Sequence, residues 1–146
     1  MKGILKWPLI VAAAVVALRV ITERAGAPPL LNSMLSVAAL TTVLAPVYFG
    51  IQLGLAGNPR PYWMLIKLVG IYVVCARAMV LPTYWAARIY NWTEPRFAGL
   101  NHPDPMVGFV SLPLLTAGFW IAGSLAVGGV SGAIALAIVR ARTRKA

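Results

Sequence analysis

The chain is a succession of four long apolar segments separated by short polar ones. The apolar segments are continuous, without the alternation of apolar and polar residues that marks a membrane β-strand. Each is long enough, or nearly so, for the roughly 20 residues that a helix needs to cross a bilayer. The pattern predicts an all-α integral membrane protein whose helices occupy about residues 4–22, 30–56, 62–88 and 113–139.

Short connections join these helices, so the expected domain is a single antiparallel four-helix bundle over residues 1–146. The fourth helix should begin near Pro113, because proline is tolerated in the first turn, where its missing N–H breaks no hydrogen bond. Residues 90–112 then form an outer loop. Pro46 lies near the middle of the second helix, and the backbone carbonyl that it frees must find another donor in lipid.

Composition supports a bilayer as the solvent. Of 146 residues, 60% are hydrophobic and 11% are charged, and the mean hydropathy is +0.82. A water-soluble domain of this size could not bury so much apolar surface. The N-terminal segment resembles a signal peptide, but Pro28 directly follows the small residues 25–27 and disfavours cleavage. An uncleaved first helix is expected.

The formal net charge of +10 comes from basic residues near helix ends rather than along one soluble face. Nucleic acid is therefore not an expected partner. Most of these residues fall on the side of the two termini, which the positive-inside rule assigns to the cytoplasm. Tryptophans at both interfaces agree with this topology: Trp7 and Trp63 on the inner side, and Trp85, Trp92 and Trp120 on the outer side.

Small residues predict close helix packing. Gly50 and Gly54 form one GxxxG motif and Gly128 and Gly132 form another, which Ser124 extends. A second row on the fourth helix contains Gly118, Ala122 and Ala126. Two rows on one helix imply neighbours on two sides, which are either two helices of this chain or one helix of this chain and one of another.

Arg77 is a charged residue inside the third apolar segment. One interpretation is structural: its side chain reaches outward or pairs with Glu23 or Glu94. Because Arg19 lies one helical turn before Glu23, a cluster of Arg19, Glu23 and Arg77 is also expected. The other is a binding site for an anion, a quinone carbonyl or an acidic group of a partner subunit, because ionisable groups in membranes commonly mark function.

The residue inventory excludes several kinds of chemistry. The apolar segments contain no carboxylate for proton pumping, and one histidine and one cysteine cannot form a bis-histidine haem site, a CxxC motif or a structural zinc site. In the outer loop, Glu94, His102 and Asp104 are candidate ligands of a divalent metal. His102 is also a candidate axial ligand for a haem or pigment shared with another chain. The alternative is a solvated loop.

With no credible catalytic set, the chain is not expected to be an enzyme. The leading hypothesis is a small accessory or anchoring subunit of a larger respiratory or photosynthetic complex in a bacterial inner membrane. Its partners would be lipids and other integral membrane subunits. It would have no cofactor of its own, but a quinone, haem or pigment could be shared with a partner chain. The alternatives are a small homo-oligomeric transporter or channel that uses Arg77 and a membrane enzyme that handles lipid or quinone.

Overall fold

The computed structural model describes residues 2–98 and 102–143, and within these ranges the secondary structure is helical, without strands. The α-helices are α1 Lys2–Arg24, α2 Pro29–Met34, α3 Val37–Ala39, α4 Ala45–Leu55, α5 Pro61–Ile89, α6 Pro95–Ala98 and α7 Leu112–Thr143. Two wider π-helical turns, Leu40–Leu44 and Val107–Ser111, lead directly into α4 and α7.

These elements form four helical segments that are long and apolar enough to cross a membrane, as the sequence predicts. We call them span 1 to span 4, and their bounds are Gly3–Arg24, Leu30–Leu55, Pro61–Ile89 and Val107–Thr143. The predicted all-helical architecture with four such segments is confirmed.

The fourth span begins earlier than predicted. The span Val107–Thr143 passes through Pro113, which is the second residue of α7, so the start expected near Pro113 is wrong. Proline has no N–H to donate to the carbonyl of Phe109, four residues before it. The indole Nε1 of Trp85 donates to that carbonyl at 2.9 Å instead. The predicted loop 90–112 therefore shortens at its C-terminal end.

The second span is interrupted where the sequence predicts a continuous helix. α2 ends at Met34 and α3 begins at Val37, because the hydroxyl of Ser36 caps the new helix by accepting a hydrogen bond from the N–H of Ala39 at 3.3 Å. The break lies at the same level of the bundle as the cavity described below.

Spans 2, 3 and 4 form the core. Its largest fully buried side chains come from α4, α5 and α7: Phe49, Leu65, Leu68, Tyr72 and Leu136. Span 1 is the least buried of the four and adds Ala12 to the same cluster. A second cluster contains Val16, Val37, Val80, Tyr84, Ala87 and Phe97, and it connects span 1 to the loop after α5.

Glycines bring spans 2 and 4 into backbone contact. A Cβ at Gly50 would collide with the carbonyl oxygen of Gly132, and one at Gly132 would lie 2.8 Å from the carbonyl oxygen of Pro46. A Cβ at Gly54 would meet Val139, and one at Gly128 would meet the ring of Pro46 at 2.9 Å. Gly118 has nothing within 4 Å of its Cβ position, so the second small-residue row is not part of this contact.

Two polar contacts cross the same interface. The hydroxyls of Thr41 and Ser124, both fully buried, lie 3.0 Å apart. The hydroxyl of Ser131 donates to the carbonyl of Thr42 at 2.7 Å. In a regular α-helix the N–H of the residue four positions later would donate to this carbonyl, but that residue is Pro46, which has no N–H. The sequence predicts a freed carbonyl here, and the structure supplies its partner from span 4.

Candidate functional site

Arg77 lies about 3 Å along the helix axis from the middle of α5, if each residue advances the helix by 1.5 Å. Only 6% of the residue is exposed, and neither Nε nor Nη2 has a hydrogen-bond partner. The guanidinium lies over the indole ring of Trp120, with 5.0 Å between Cζ and the ring centroid. Arg77 is thus a buried cation that an aromatic face supports and no carboxylate in the described ranges neutralises.

A cavity of about 310 Å³ opens next to Arg77. We call it the arginine cavity, because Arg19, Arg77 and Arg96 line it. Further hydrogen-bonding groups in its wall belong to Ser36, Tyr84, Thr116 and Trp120, and the apolar part of the wall consists of Val37, Ala38 and Val80. All four spans contribute to it, together with α6. Its volume is within the range of small-molecule sites in proteins, about 300–1,000 Å³.

A buried carboxylate joins two of the three arginines. Oε1 of Glu23 accepts from Nε of Arg19 at 2.9 Å, and Oε2 of Glu23 accepts from Nη1 of Arg96 at 3.1 Å. The side chain of Glu23 is 8% exposed. The Glu23–Arg96 pair joins the end of α1 to α6, and it holds Arg96 in the wall of the cavity. The guanidinium of Arg96 also lies near the rings of Tyr84 and Phe97, whose centroids are 5.7 and 5.1 Å from Cζ.

A second ion pair ties the same loop to α1. Nη1 of Arg24 donates to Oε1 of Glu94 at 2.8 Å, and the guanidinium of Arg24 lies 5.0 Å from the ring centroid of Trp92. A hydrogen bond from its own backbone N–H, followed by the hydrogen bond and the charge of Arg24, lowers the pKa of Glu94 below its ordinary value. Glu94 is therefore a carboxylate at neutral pH, and the pair is ionic.

The charges around the cavity do not balance. Glu23 and Glu94 are the two carboxylates of this group, whereas Arg19, Arg24, Arg77 and Arg96 contribute four guanidinium groups. Two positive charges remain, and the group that carries one of them, Arg77, has unpaired donors. An excess of this kind in a poorly solvated cavity attracts anions.

The residues of the predicted charge cluster separate into two parts. Arg19 and Glu23 pair as expected for residues one turn apart, whereas Arg77 lines the cavity without an ion pair to Glu23. Sequence reasoning missed the true second partner of Glu23, which is Arg96. Arg96 lies 73 positions further along the chain in a loop without periodicity, so no local signal connects the two residues.

The candidate metal ligands do not converge. Glu94 pairs with Arg24, while Nδ1 of His102 accepts from the N–H of Asp104 at 3.1 Å and Oδ1 of Asp104 accepts from the N–H of Met106 at 2.8 Å. No group of three His, Cys, Asp or Glu side chains occurs within the described ranges. His102 lines a separate open cavity of about 470 Å³ together with Arg88, Asn91, Pro103 and Phe109.

The predicted interface tryptophans occupy different surroundings. Trp7, Trp63 and Trp85 are exposed on the helix surfaces, and Trp92 packs against Tyr90 and Phe97. Trp120, 39% exposed, also covers Arg77, a second role that the sequence did not suggest. Of the predicted packing residues, Ser124 and the four glycines of the two GxxxG motifs lie between spans 2 and 4, and Gly118 faces outward.

No family model, curated protein or solved structure matches this chain.

Proposed function

We propose that this chain is a multi-pass membrane protein that binds the anionic headgroup of an amphiphile in the arginine cavity. The observation that carries the proposal is the buried guanidinium of Arg77, whose Nε and Nη2 lack partners beside a cavity with excess positive charge. The proposed topology is an antiparallel bundle with both termini in the cytoplasm of a bacterial inner membrane. The arginine cavity then belongs to the outer half of the bilayer.

The cost of the arginine supports a ligand role. Placing an arginine near the centre of a membrane helix costs about 2.5–3.5 kcal/mol on insertion scales. A purely structural arginine would recover part of this cost through ion pairs, yet both carboxylates near the cavity are engaged by Arg19, Arg24 and Arg96. An anion in the cavity would supply the missing acceptors.

The walls of the cavity favour an amphiphile. Val37, Ala38 and Val80 give it an apolar side. The ring of Trp120 covers Arg77, and the residue as a whole is 39% exposed. A headgroup bound at Arg77 can leave its alkyl chain among lipid tails next to Trp120. A wholly polar ligand would gain nothing from these apolar residues.

The test is a titration of the protein in phosphatidylcholine nanodiscs at pH 8 with two anionic amphiphiles, dodecyl phosphate and dodecyl methyl phosphate, and with neutral dodecanol. Because Trp120 covers the site, its fluorescence should change on binding, and Trp120→Phe identifies its contribution. We expect saturable binding of at least one anion but not of dodecanol. Arg77→Gln should abolish binding, and Arg77→Lys should retain part of it.

Lys67→Gln is the matched control, because it removes a positive charge from the same helix at an exposed position next to Trp63. It should bind like the wild type. Saturable binding that persists in Arg77→Gln, or no saturable binding of either anion, would refute the proposal.

A second candidate function, an accessory subunit of a larger membrane complex, is favoured by one observation. Gly118, Ala122 and Ala126 form an exposed row along α7, while the row beside it is covered by span 2. Small exposed residues let another helix approach closely. Native purification should then yield a larger assembly, and the double substitution Gly118→Ile with Ala122→Ile should release the chain. A lone chain or homo-oligomer from native membranes would count against this role.

A further inference from the structure

We infer that the arginine cavity selects a doubly charged phosphoryl headgroup, a phosphate monoester or diphosphate, over headgroups with a single negative charge. This inference rests on the proposed function and names its ligand class. The ligand carries the phosphoryl group either on an alkyl chain or as free phosphate, and the experiment below separates these two sources.

The first argument is charge. Two guanidinium groups around the cavity have no matching carboxylate in the described ranges, because Glu23 and Glu94 balance only two of the four. A phosphate diester or carboxylate carries one negative charge and would leave one cation uncompensated. A phosphate monoester above its second pKa of about 6 carries nearly two and would neutralise the group.

The second argument is the direction of the free donors. Nε and Nη2 of Arg77, the two atoms without partners, lie on the same edge of the guanidinium. This edge donates two parallel hydrogen bonds to two oxygens of a carboxylate or phosphate. A monoester has three terminal oxygens, so one remains after Arg77 has taken two. A carboxylate would have no terminal oxygen left.

Donors for the third oxygen lie in the same wall. The hydroxyl of Ser36 accepts from the N–H of Ala39, which leaves its own O–H free to donate. The hydroxyl of Thr116 and the guanidinium of Arg96 also line the cavity. The interruption of span 2 at Ser36 thereby places a hydroxyl donor where a continuous apolar helix would have none.

The experiment compares two probes that differ in one charge. Dodecyl phosphate is a dianion at pH 8, and dodecyl methyl phosphate has the same chain and phosphorus chemistry with one charge. In phosphatidylcholine nanodiscs we expect the monoester to bind at least tenfold more tightly at pH 8. At pH 5, where the monoester is singly charged, this preference should fall to less than threefold. The diester carries one charge at both pH values, so any change in its affinity between pH 8 and pH 5 comes from titration of the protein.

Arg96 supplies an independent readout. Arg96→Gln removes one of the two excess charges and should reduce the preference for the monoester at pH 8, whereas Arg96→Lys should keep it. If both probes bind wild type with equal affinity, or if the preference does not change with pH, the inference is wrong while the proposed anionic site stands. If neither binds, the proposed function itself fails.

Inorganic phosphate separates the two sources. If the natural ligand is an amphiphile, millimolar phosphate should leave bound dodecyl phosphate in place, because it lacks the chain that contacts the apolar wall. If phosphate displaces the probe at the concentration at which dodecyl phosphate itself binds, the phosphoryl group is recognised without a chain. The ligand class is then free phosphate, and the amphiphile named in the proposed function is wrong.

Discussion

Arg77 on α5 and Trp120 on α7 form a cation–π contact, with the guanidinium carbon 5.0 Å from the ring centroid. This contact joins spans 3 and 4 at the arginine cavity. A cation–π contact away from water is worth about 2 kcal/mol, which is less than the cost of an unpaired arginine near the centre of a bilayer. In the proposed membrane topology, Arg77 therefore carries a net cost in stability that an anion in the cavity would offset.

The first prediction follows from this cost. Arg77→Met keeps an apolar stem of similar length and removes the charge, so the free energy of unfolding without ligand should rise, by about 1–3 kcal/mol. Reversible unfolding in mixed micelles measures the change. Lys67→Met on the exposed face of the same helix should have a smaller effect. A marked loss of stability in Arg77→Met would instead assign Arg77 a structural role.

The second prediction concerns the glycine contact between spans 2 and 4. Gly132→Ala places a Cβ 2.8 Å from the carbonyl oxygen of Pro46 and 3.0 Å from Cδ1 of Leu65, and the backbone atom cannot rotate away. Overpacking of this kind costs about 1–3 kcal/mol, so the unfolding free energy should fall by a similar amount.

Gly118→Ala on the same helix is the control. Its Cβ has nothing within 4 Å, and alanine favours a helix over glycine by up to about 1 kcal/mol, so this variant should be as stable as the wild type or more so. Equal destabilisation by the two substitutions would contradict the observed interface.

The extent to which sequence predicts this molecule differs between the helices and the site. Continuous apolar length identifies the four spans, and the spacing of Gly128 and Gly132 marks a packing row. The spacing does not predict which of the two rows of small residues on α7 contacts span 2. That choice depends on the ring and carbonyl of Pro46, which fit against Gly128 and Gly132 and have no counterpart at Gly118.

The cavity depends on relationships that are invisible locally. Ser36 is a good capping residue, but within an apolar run nothing signals that it ends one helix and starts another. Glu23 forms an ion pair with Arg96 only because the loop after α5 folds back onto α1. The sequence identifies Arg77 as exceptional, whereas the position of its partner Trp120 indicates only an interface anchor.

The third prediction concerns Glu94 and pH. A hydrogen bond from its own backbone N–H, and then the hydrogen bond and charge of Arg24, lower the pKa of Glu94 in the fold, so the unfolded chain binds more protons than the folded one as the pH falls. These interactions thus stabilise the fold above the ordinary glutamate pKa of 4.5. This stabilisation is lost as the pH falls through the lower folded pKa.

Unfolding measured between pH 7 and pH 3 should show this loss in the wild type and a flatter profile in Glu94→Gln. Arg24→Gln should flatten the profile less, because the backbone hydrogen bond to Glu94 remains. An unchanged profile in Glu94→Gln would mean that other groups govern the acid response.

The fourth prediction tests whether Ser131 compensates for Pro46. Ser131→Ala removes the donor to the carbonyl of Thr42, and in a membrane protein such a bond is worth about 0.6 kcal/mol, up to about 1.7. In a Pro46→Ala background the residue at 46 regains its N–H and can serve the same carbonyl. Ser131→Ala should then cost less, and the double-mutant cycle in unfolding free energy should show coupling between the two positions.

Thr83→Ala is the control, because the hydroxyl of Thr83 donates to the carbonyl of Val80 within its own helix at 2.7 Å. This substitution should show no coupling to Pro46. Equal costs of Ser131→Ala in the two backgrounds would mean that the hydroxyl does not replace the N–H that Pro46 lacks, and that the proline in span 2 is accommodated without help from span 4.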